Sequence, residues 1–325
     1  MIVACTVSFN SSVIIEKTID SLLSQSFLVD KIVIADNCSN EENKARLKSY
    51  LDKSPTIDII WLNKNSGGAG GFYEAMKYAK EQYDPDWYWL MDDDAYPNPN
   101  CLEILLEQQK QLDNVGFVAP VIWGIDNQKY QLYHPRKEQG KANKFSAIAE
   151  TIGELNPVEI IDIDAFVGPL ISKEAVNSCG LPRPGYFLEG DDMDYTFRIT
   201  RQFKGYLIKT AQINHKDLII ANGINPGMWW KQYYSYRNPI IFAKYNYHGT
   251  KKRRYIFNHL LFASKQIIKM YLDNRYKGYR LFRSKLLIKG ILDGLKRKEG
   301  IVVVPSEYKQ SLTDMEMKMK SHIKR

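Results

Sequence analysis

Long apolar runs are missing from this 325-residue chain. No stretch approaches the roughly 18 apolar residues that span a bilayer. With 44% hydrophobic and 25% charged residues it reads as a soluble globular protein. The short run Ile2 to Val7 lacks a basic flank and a cleavage site, so nothing marks the chain for export. Cysteine is scarce: Cys5, Cys38, Cys101 and Cys179 are scattered without a CxxC pair. That argues against a zinc site or a disulfide scaffold and for reduced thiols in a cytosol. GxGxxG spacing is absent, and no Lys-Ser or Lys-Thr follows the glycine-rich stretch, so dinucleotide binding and phosphoryl transfer from ATP both lose ground. There is no RNP sequence, no Cys/His finger and no internal repeat.

Acidic residues thin out toward the C-terminus. From Lys251 to Arg325 the chain has 20 Lys and Arg against 6 Asp and Glu, a net +14, which leaves −6 for the first 250 residues of a chain whose total is +8. Such a block suits nucleic acid, anionic lipid or a polyanionic substrate, or is a solvated helical face.

What is present is an alternation of strand and helix signals over the first hundred residues. Apolar runs at Ile2–Val7, Lys31–Ala35, Ile57–Leu62 and Trp87–Met91 are of strand length, and helical patterns cover Val13–Gln25, Glu41–Leu51 and Phe72–Gln82. Continuous apolar strands separated by helices predict an α/β fold with a mainly parallel sheet covered on both faces. Ligands of such sheets bind beyond the carboxyl ends of the strands, where Asn10, Asp36, the glycine-rich loop Asn63 to Gly71 and Asp92 to Asp94 fall. Short strands are expected at Val115–Val121 and Ile160–Val167, and Lys137–Glu154 reads as a mobile excursion. The segment Met228 to Pro239 is aromatic, and helical spacing dominates from Ile256 to Gly294.

Asp92-Asp93-Asp94 puts three carboxylates where a buried strand meets solvent. Side chains on an extended chain alternate, so Asp92 and Asp94 share a side and both reach one cation. Hard oxygen ligands suit Mg²⁺ or Mn²⁺ held against a diphosphate. The plainer alternative is an acidic turn or helix cap before Pro97 and Pro99. Asp36, Asn37 and Ser39 read either as nucleoside contacts or as a helix N-cap. Gly67, Gly68, Gly70 and Gly71 let backbone approach a ligand and open a helix whose N-terminus attracts anions. Glu189 to Asp194 can present one carboxylate to a substrate hydroxyl while its neighbours hold structure, or simply favour a helix N-terminus. His215 is a candidate nitrogen ligand or a structural histidine.

The ordered set Thr6-Val7-Ser8-Phe9-Asn10, Ile34-Ala35-Asp36-Asn37-Cys38-Ser39, Asn65 to Phe72, Asp92-Asp93-Asp94 and Asp191-Asp192-Met193-Asp194-Tyr195 resembles the family-two inverting glycosyltransferases. The glycine loop, the triple Asp, the Asp-Asp-x-Asp-Tyr motif and the later His look most like the bacterial galactofuranosyltransferase branch. The resemblance covers residues 1 to 220. It implies a GT-A fold, the Rossmann-like nucleotide-diphospho-sugar transferase architecture, in a catalytic domain 1–222, with the donor half near 1–100 and the acceptor half near 101–222. An aromatic, basic helical region 223–325 follows.

The resemblance further implies a UDP-sugar donor, specifically UDP-galactofuranose, and Mn²⁺ or Mg²⁺. Phe9, Asn10, Asp36, Asn65, Gly67, Gly68, Gly70, Gly71 and Asp93 would line the donor, and Asp92, Asp94 and His215 the metal. Asp192 would be the general base, with Asp191, Trp229, Trp230 and Arg237 toward the acceptor. That acceptor is expected to be a capsule, O-antigen or similar glycan on a polyprenyl diphosphate. The basic C-terminal part would then dock a cytoplasmic enzyme on the inner face of the plasma membrane; core packing is the alternative for its aromatics. Gly190 departs from the branch, whose members carry Trp there. Rhamnosyl transfer from dTDP-rhamnose is the near alternative, and a non-catalytic glycan- or nucleic-acid-binding protein the distant one. A sugar nucleotidyltransferase would need a basic glycine-rich loop near the N-terminus, and none lies between Phe9 and Gln25.

Overall fold

The computed structural model describes residues 1–51, 54–139, 144–217 and 224–323, with side chains through 319. The chain divides into two compact units, one of residues 1–184 with 191–218 and one of residues 185–190 with 219–325. The expected boundary at 222 lies outside the described residues.

The first unit alternates strand and helix as its apolar periods dictate: β1 (Ile2–Ser8), α1 (Ser12–Leu23), β2 (Lys31–Asp36), α2 (Glu41–Leu51), β3 (Ile57–Trp61), α3 (Gly67–Gln82) and β4 (Trp87–Met91). There follow β5 (Ala95–Pro97), α4 (Cys101–Gln109), β6 (Val115–Gly124), β7 (Lys129–Tyr130), β8 (Arg136–Gln139), β9 (Lys144–Ala147), β10 (Val158–Ile161), β11 (Val167–Ser172), α5 (Lys173–Cys179), α6 (Asp191–Thr200) and β12 (Lys204–His215). The main sheet runs β10-β12-β6-β11-β4-β1-β2-β3. Strands β3, β2, β1 and β4 are parallel. β11 lies antiparallel between β4 and β6, while β12 is parallel to β6.

The pleat sorts the core into two layers. Ile2, Ala4, Ile32 and Ile34 face Ile15, Ile19 and Leu22 of α1, Leu47 of α2 and Leu102 and Leu105 of α4. Val3, Cys5, Val33 and Ala35 face Phe72, Ala75, Met76 and Ala79 of α3 and Ile199 of α6. Helices therefore cover both faces, which is why β1 and β2 are apolar at nearly every position.

Several expectations shift. The apolar stretch Ile160–Val167 is two pieces, β10 and the start of β11, because Asp162 and Asp164 interrupt it. The described flanks of the expected excursion, β8 and β9, pair as a two-stranded antiparallel ribbon. The glycines at 67–71 are the first turns of α3 and not a loop before it.

The second unit is helical: α7 (Trp230–Asn246), α8 (Gly249–Leu272), α9 (Arg280–Leu295) and α10 (Pro305–Ile323). Trp229, Tyr233 and Tyr234 form its core with Phe187, Leu286, Tyr308 and Leu312. Among the described residues no helix is long and apolar enough to cross a membrane.

Candidate active site

The carboxyl ends of β1, β2 and β4 lie side by side, and polar side chains stitch their loops together. Asn37 accepts from the Ser66 N–H at 2.8 Å and donates to the Gly67 carbonyl at 2.8 Å, tying the end of β2 to the entry of α3. Asn65 accepts from the Gly67 N–H at 2.8 Å. The Asn10 N–H donates to Ser39 Oγ at 2.9 Å, and Asn10 Oδ1 accepts from the Asn40 N–H at 2.9 Å. Asn10, Asn37 and Asn65 thus hold the loops in shape, while Phe9 stands exposed beside them. Asp36 is buried; its Oδ2 accepts from the Ser39 N–H at 3.1 Å, but Oδ1 has no hydrogen-bond partner. A buried acceptor left unpaired costs its desolvation, so an N–H donor at this point would be strongly favoured.

The glycines divide by role. A Cβ on Gly71 would stand 2.3 Å from Val7 Cγ1, so this glycine lets α3 lie against β1. A Cβ on Gly70 would meet Ser66 Oγ at 2.3 Å, within the helix entry itself. Gly67 has φ +73°, the left-handed conformation that starts the helix. At Gly68 a Cβ would meet nothing within 4 Å, leaving open space over the first turn.

β4 stops at Met91, and Asp92–Asp94 form a turn into β5 in which the Ala95 N–H donates to the Asp92 carbonyl at 3.3 Å. Strand alternation is therefore not what joins Asp92 and Asp94; the turn does. β5 then pairs antiparallel with β12, Ala95 opposite His215. One ligand atom each from Asp92, Asp94 and His215 lies within 4.8 Å of the others, and His215 Nε2 is 3.2 Å from Asp94 Oδ1. Asp93 turns away: its carboxylate accepts from Ser11 and its carbonyl from Thr18 Oγ1 at 2.6 Å. Burial pushes the Asp93 carboxyl up to about 6.

Burial, followed by the charges of Asp94, Asp93, Asp192 and Asp191, drives the Asp92 carboxyl well above the ordinary range. So the second acidic cluster, nearly one hundred residues on, is close enough to be felt. Packed carboxylates and one imidazole make a donor set that suits a divalent cation, whose charge would relieve this repulsion.

α6 carries the second cluster in its first turn. Glu189 and Gly190, at φ +63° and +87°, make the sharp entry, a left-handed conformation that favours glycine at 190. Asp194 is fully buried and clasped by Arg183 at 2.6 and 2.8 Å and by Arg198 at 3.2 Å. Burial and the neighbouring Asp192 raise the Asp191 carboxyl to about 8. Asp192 is half-buried, and its Oδ1 accepts from the Met193 N–H at 2.6 Å. Of the three acids, Asp192 is the half-buried one.

Residues 3–176 match the description "Glycosyl transferase family 2". The chain belongs to glycosyl transferase family 2. This family-2 chain is 22% identical over 204 residues to the galactofuranosyltransferase GlfT1 of Mycolicibacterium smegmatis, covering 62% of this chain and 66% of the relative. It is 25% identical over 218 residues to the uncharacterized glycosyltransferase RP339 of Rickettsia prowazekii, covering 65% and 60%. The chain thus spans somewhat less than two thirds of the length of these curated relatives. Its structure is similar to that of the mannosyltransferase PcManGT from Pyrobaculum calidifontis in complex with GDP-Man and Mn²⁺, at TM-score 0.55 and 12% identity over 92% of this chain and 88% of the other. Such neighbours establish the GT-A fold for this family-2 member.

Two of the expected acceptor-side residues lie inside the second unit. Arg237 is fully buried, its guanidinium donating to Asn238 Oδ1 and to the carbonyls of Gly300, Gly185 and Tyr186. Trp229 is 4% exposed, packed on Tyr276 and Tyr279 beneath the Arg283 guanidinium. Both build the core of the second unit; Trp230 is half-buried.

Sequence reasoning missed Gln131, Asp217 and Asp164. Buried Asp164 has a carboxyl raised to about 8 by its burial, with the Asp192 charge adding to the rise. Each is a lone polar residue in no recognisable pattern, and only the fold gives them neighbours.

Proposed function

We propose that this chain is a metal-dependent, inverting glycosyltransferase that moves galactofuranose from UDP-galactofuranose to a bacterial cell-surface glycan built on a polyprenyl diphosphate. The observation that carries the reading is the convergence of Asp92, Asp94 and His215 with the half-buried Asp192 at the carboxyl edge of one sheet. Asp92, Asp94 and His215 would hold Mn²⁺ or Mg²⁺, which when bound neutralises charge on the departing nucleoside diphosphate. Asp36 offers its unpaired Oδ1 to a ring N–H of the nucleoside, and the open turn at Gly68 receives the donor. Asp192 accepts the proton of the acceptor hydroxyl as that oxygen attacks the anomeric carbon. The bond from that carbon to the diphosphate oxygen breaks with its electron pair on UDP, so one displacement inverts the centre. Asp191 is the acceptor-side candidate of the first unit.

The galactofuranose donor is supported by the resemblance to GlfT1. Gly190 favours keeping dTDP-rhamnose as the second donor, because it removes the aromatic residue of the galactofuranosyl branch. The test is a Mn²⁺-dependent hydrolysis and binding screen against UDP-galactofuranose, UDP-galactopyranose, UDP-glucose and dTDP-rhamnose, with Asp94→Ala as control. Metal-dependent use of UDP-galactofuranose alone is expected. Selective use of another sugar would overturn the donor, and binding of none would overturn both proposed donors.

The second unit supports attachment to the inner face of the plasma membrane. α8 contains no acidic residue and carries Lys251, Lys252, Arg253, Arg254, Lys265 and Lys269. Phe257, Leu261, Ile268 and Leu272 stand 58%, 45%, 60% and 79% exposed at helical spacing. An apolar stripe flanked by cations fits an anionic bilayer surface.

A further inference from the structure

We infer that Gln131 is a positioning residue that fixes the proton on His215 so that the other ring nitrogen faces the cation, and that Asp217 sets the orientation of Gln131. The inference rests on the metal reading of Asp92, Asp94 and His215 and adds the residues behind it.

Gln131 is 3% exposed, just beyond β7. Its Nε2 donates to Asp217 Oδ1 at 3.0 Å. A carboxylate only accepts, so the amide nitrogen must face Asp217 and the amide oxygen must face the other way. That oxygen lies 3.0 Å from His215 Nδ1 and 3.2 Å from His134 Nε2. An amide oxygen has two lone pairs and no proton, so both nitrogens facing it carry hydrogen. His215 is thereby protonated at Nδ1, and its Nε2 is the nitrogen turned to Asp94. A bare lone pair against a carboxylate is repulsive unless a cation or a proton lies between them, and this is the geometry a metal ligand needs. A ligating histidine commonly donates its second N–H to such an acceptor, and losing that partner typically costs 10- to 100-fold in metal affinity.

Asp217 is itself held. Its Oδ2 accepts from the N–H groups of Asp126 and Asn127, both at 2.8 Å, and its own N–H donates to Asp126 Oδ2 at 3.1 Å. A chain of directed bonds therefore runs from the turn after β6 through Asp217 and Gln131 to the imidazole.

The polarity of the chain supplies its own test. Gln131→Leu removes the acceptor. The exchange Gln131→Glu with Asp217→Asn restores it: the glutamate accepts from His215 and from the new amide, whose oxygen still receives the Asp126 and Asn127 N–H groups. Free Mn²⁺ is followed by electron paramagnetic resonance in titrations of the full chain with UDP, and nitrogen-15 spectra of metal-free protein read the His215 tautomer. Gln131→Leu is expected to weaken Mn²⁺ about 10- to 100-fold and to lose the fixed Nδ1 proton, while the double exchange recovers both. Wild-type Mn²⁺ affinity in a folded Gln131→Leu protein would overturn the positioning role alone, as would a double exchange that folds but recovers neither readout. Absence of Mn²⁺ binding by the wild type would overturn the metal reading with it.

Discussion

Ala95 lies opposite His215 in the β5–β12 ladder, and this pairing sets the imidazole beside Asp94. The cluster of Asp92, Asp94 and His215 therefore depends on the pairing of a three-residue strand. Asp94→Ala and His215→Ala are each expected to abolish Mn²⁺-dependent donor hydrolysis while the fold persists, as seen by unchanged far-ultraviolet circular dichroism. Full Mn²⁺-dependent hydrolysis in either variant would remove that residue from the site.

Asp192→Asn keeps the shape of the first turn of α6 and removes the proposed base. Turnover is predicted to fall by about 10²- to 10⁴-fold, the range for losing a positioned general base. UDP-sugar binding, measured by calorimetry, is expected to stay near the wild-type value. Undiminished turnover would reassign the proton acceptor.

The glycines of α3 separate packing from ligand contact. Gly71→Ala forces a Cβ against Val7 and is predicted to lower stability by about 1–3 kcal/mol, the cost of overpacking. Gly68→Ala meets nothing in the fold and is predicted to gain about 0.5–1 kcal/mol in urea unfolding while weakening donor binding. Donor affinity unchanged in Gly68→Ala would move the donor off this turn.

Asp164 makes stability depend on pH. Burial raises its carboxyl to about 8. Between the ordinary carboxyl range and that value the folded chain keeps a proton the unfolded chain has lost, so this group's contribution falls as pH rises through the window. Asp164→Asn removes the dependence, and the gain in melting temperature over wild type should be larger at pH 8 than at pH 5. An equal difference at both would show that Asp164 ionises freely in the fold.

Vesicle co-sedimentation tests α8. The chain is expected to bind phosphatidylglycerol vesicles and to leave phosphatidylcholine vesicles free, with binding lost in Leu261→Glu/Ile268→Glu. Undiminished binding by that double variant would take the membrane contact off this face.

Where local period decides structure, the sequence was legible. α2 occupies Glu41–Leu51 as its pattern requires, and β1 through β4 follow their apolar runs. The length of β12 was not legible, since Lys209, Thr210, Gln212 and Asn214 interrupt its apolar residues. The acidic motifs could be named, but their meeting depends on a turn and an edge pairing that no local period encodes. The burial of Arg237 and Trp229 was not legible, because cationic and aromatic types usually seek a surface; here backbone carbonyls and stacked rings satisfy them inside. Gln131 and Asp217, 86 residues apart, carry no mutual signal until the sheet joins them.

The segment Gly185–Gly190 clusters with the second unit although both its chain neighbours belong to the first. Asn238 Nδ2 donates to the carbonyls of Tyr186, Leu188 and Glu189, and Arg237 to those of Gly185 and Tyr186. The six residues leading into Asp191 and Asp192 are thus secured by groups from a helix some fifty positions later. Ending the polypeptide near residue 222 would strip those carbonyls of their donors, so a shortened protein that keeps every acidic motif would still lose the support of the stretch that leads into Asp191 and Asp192.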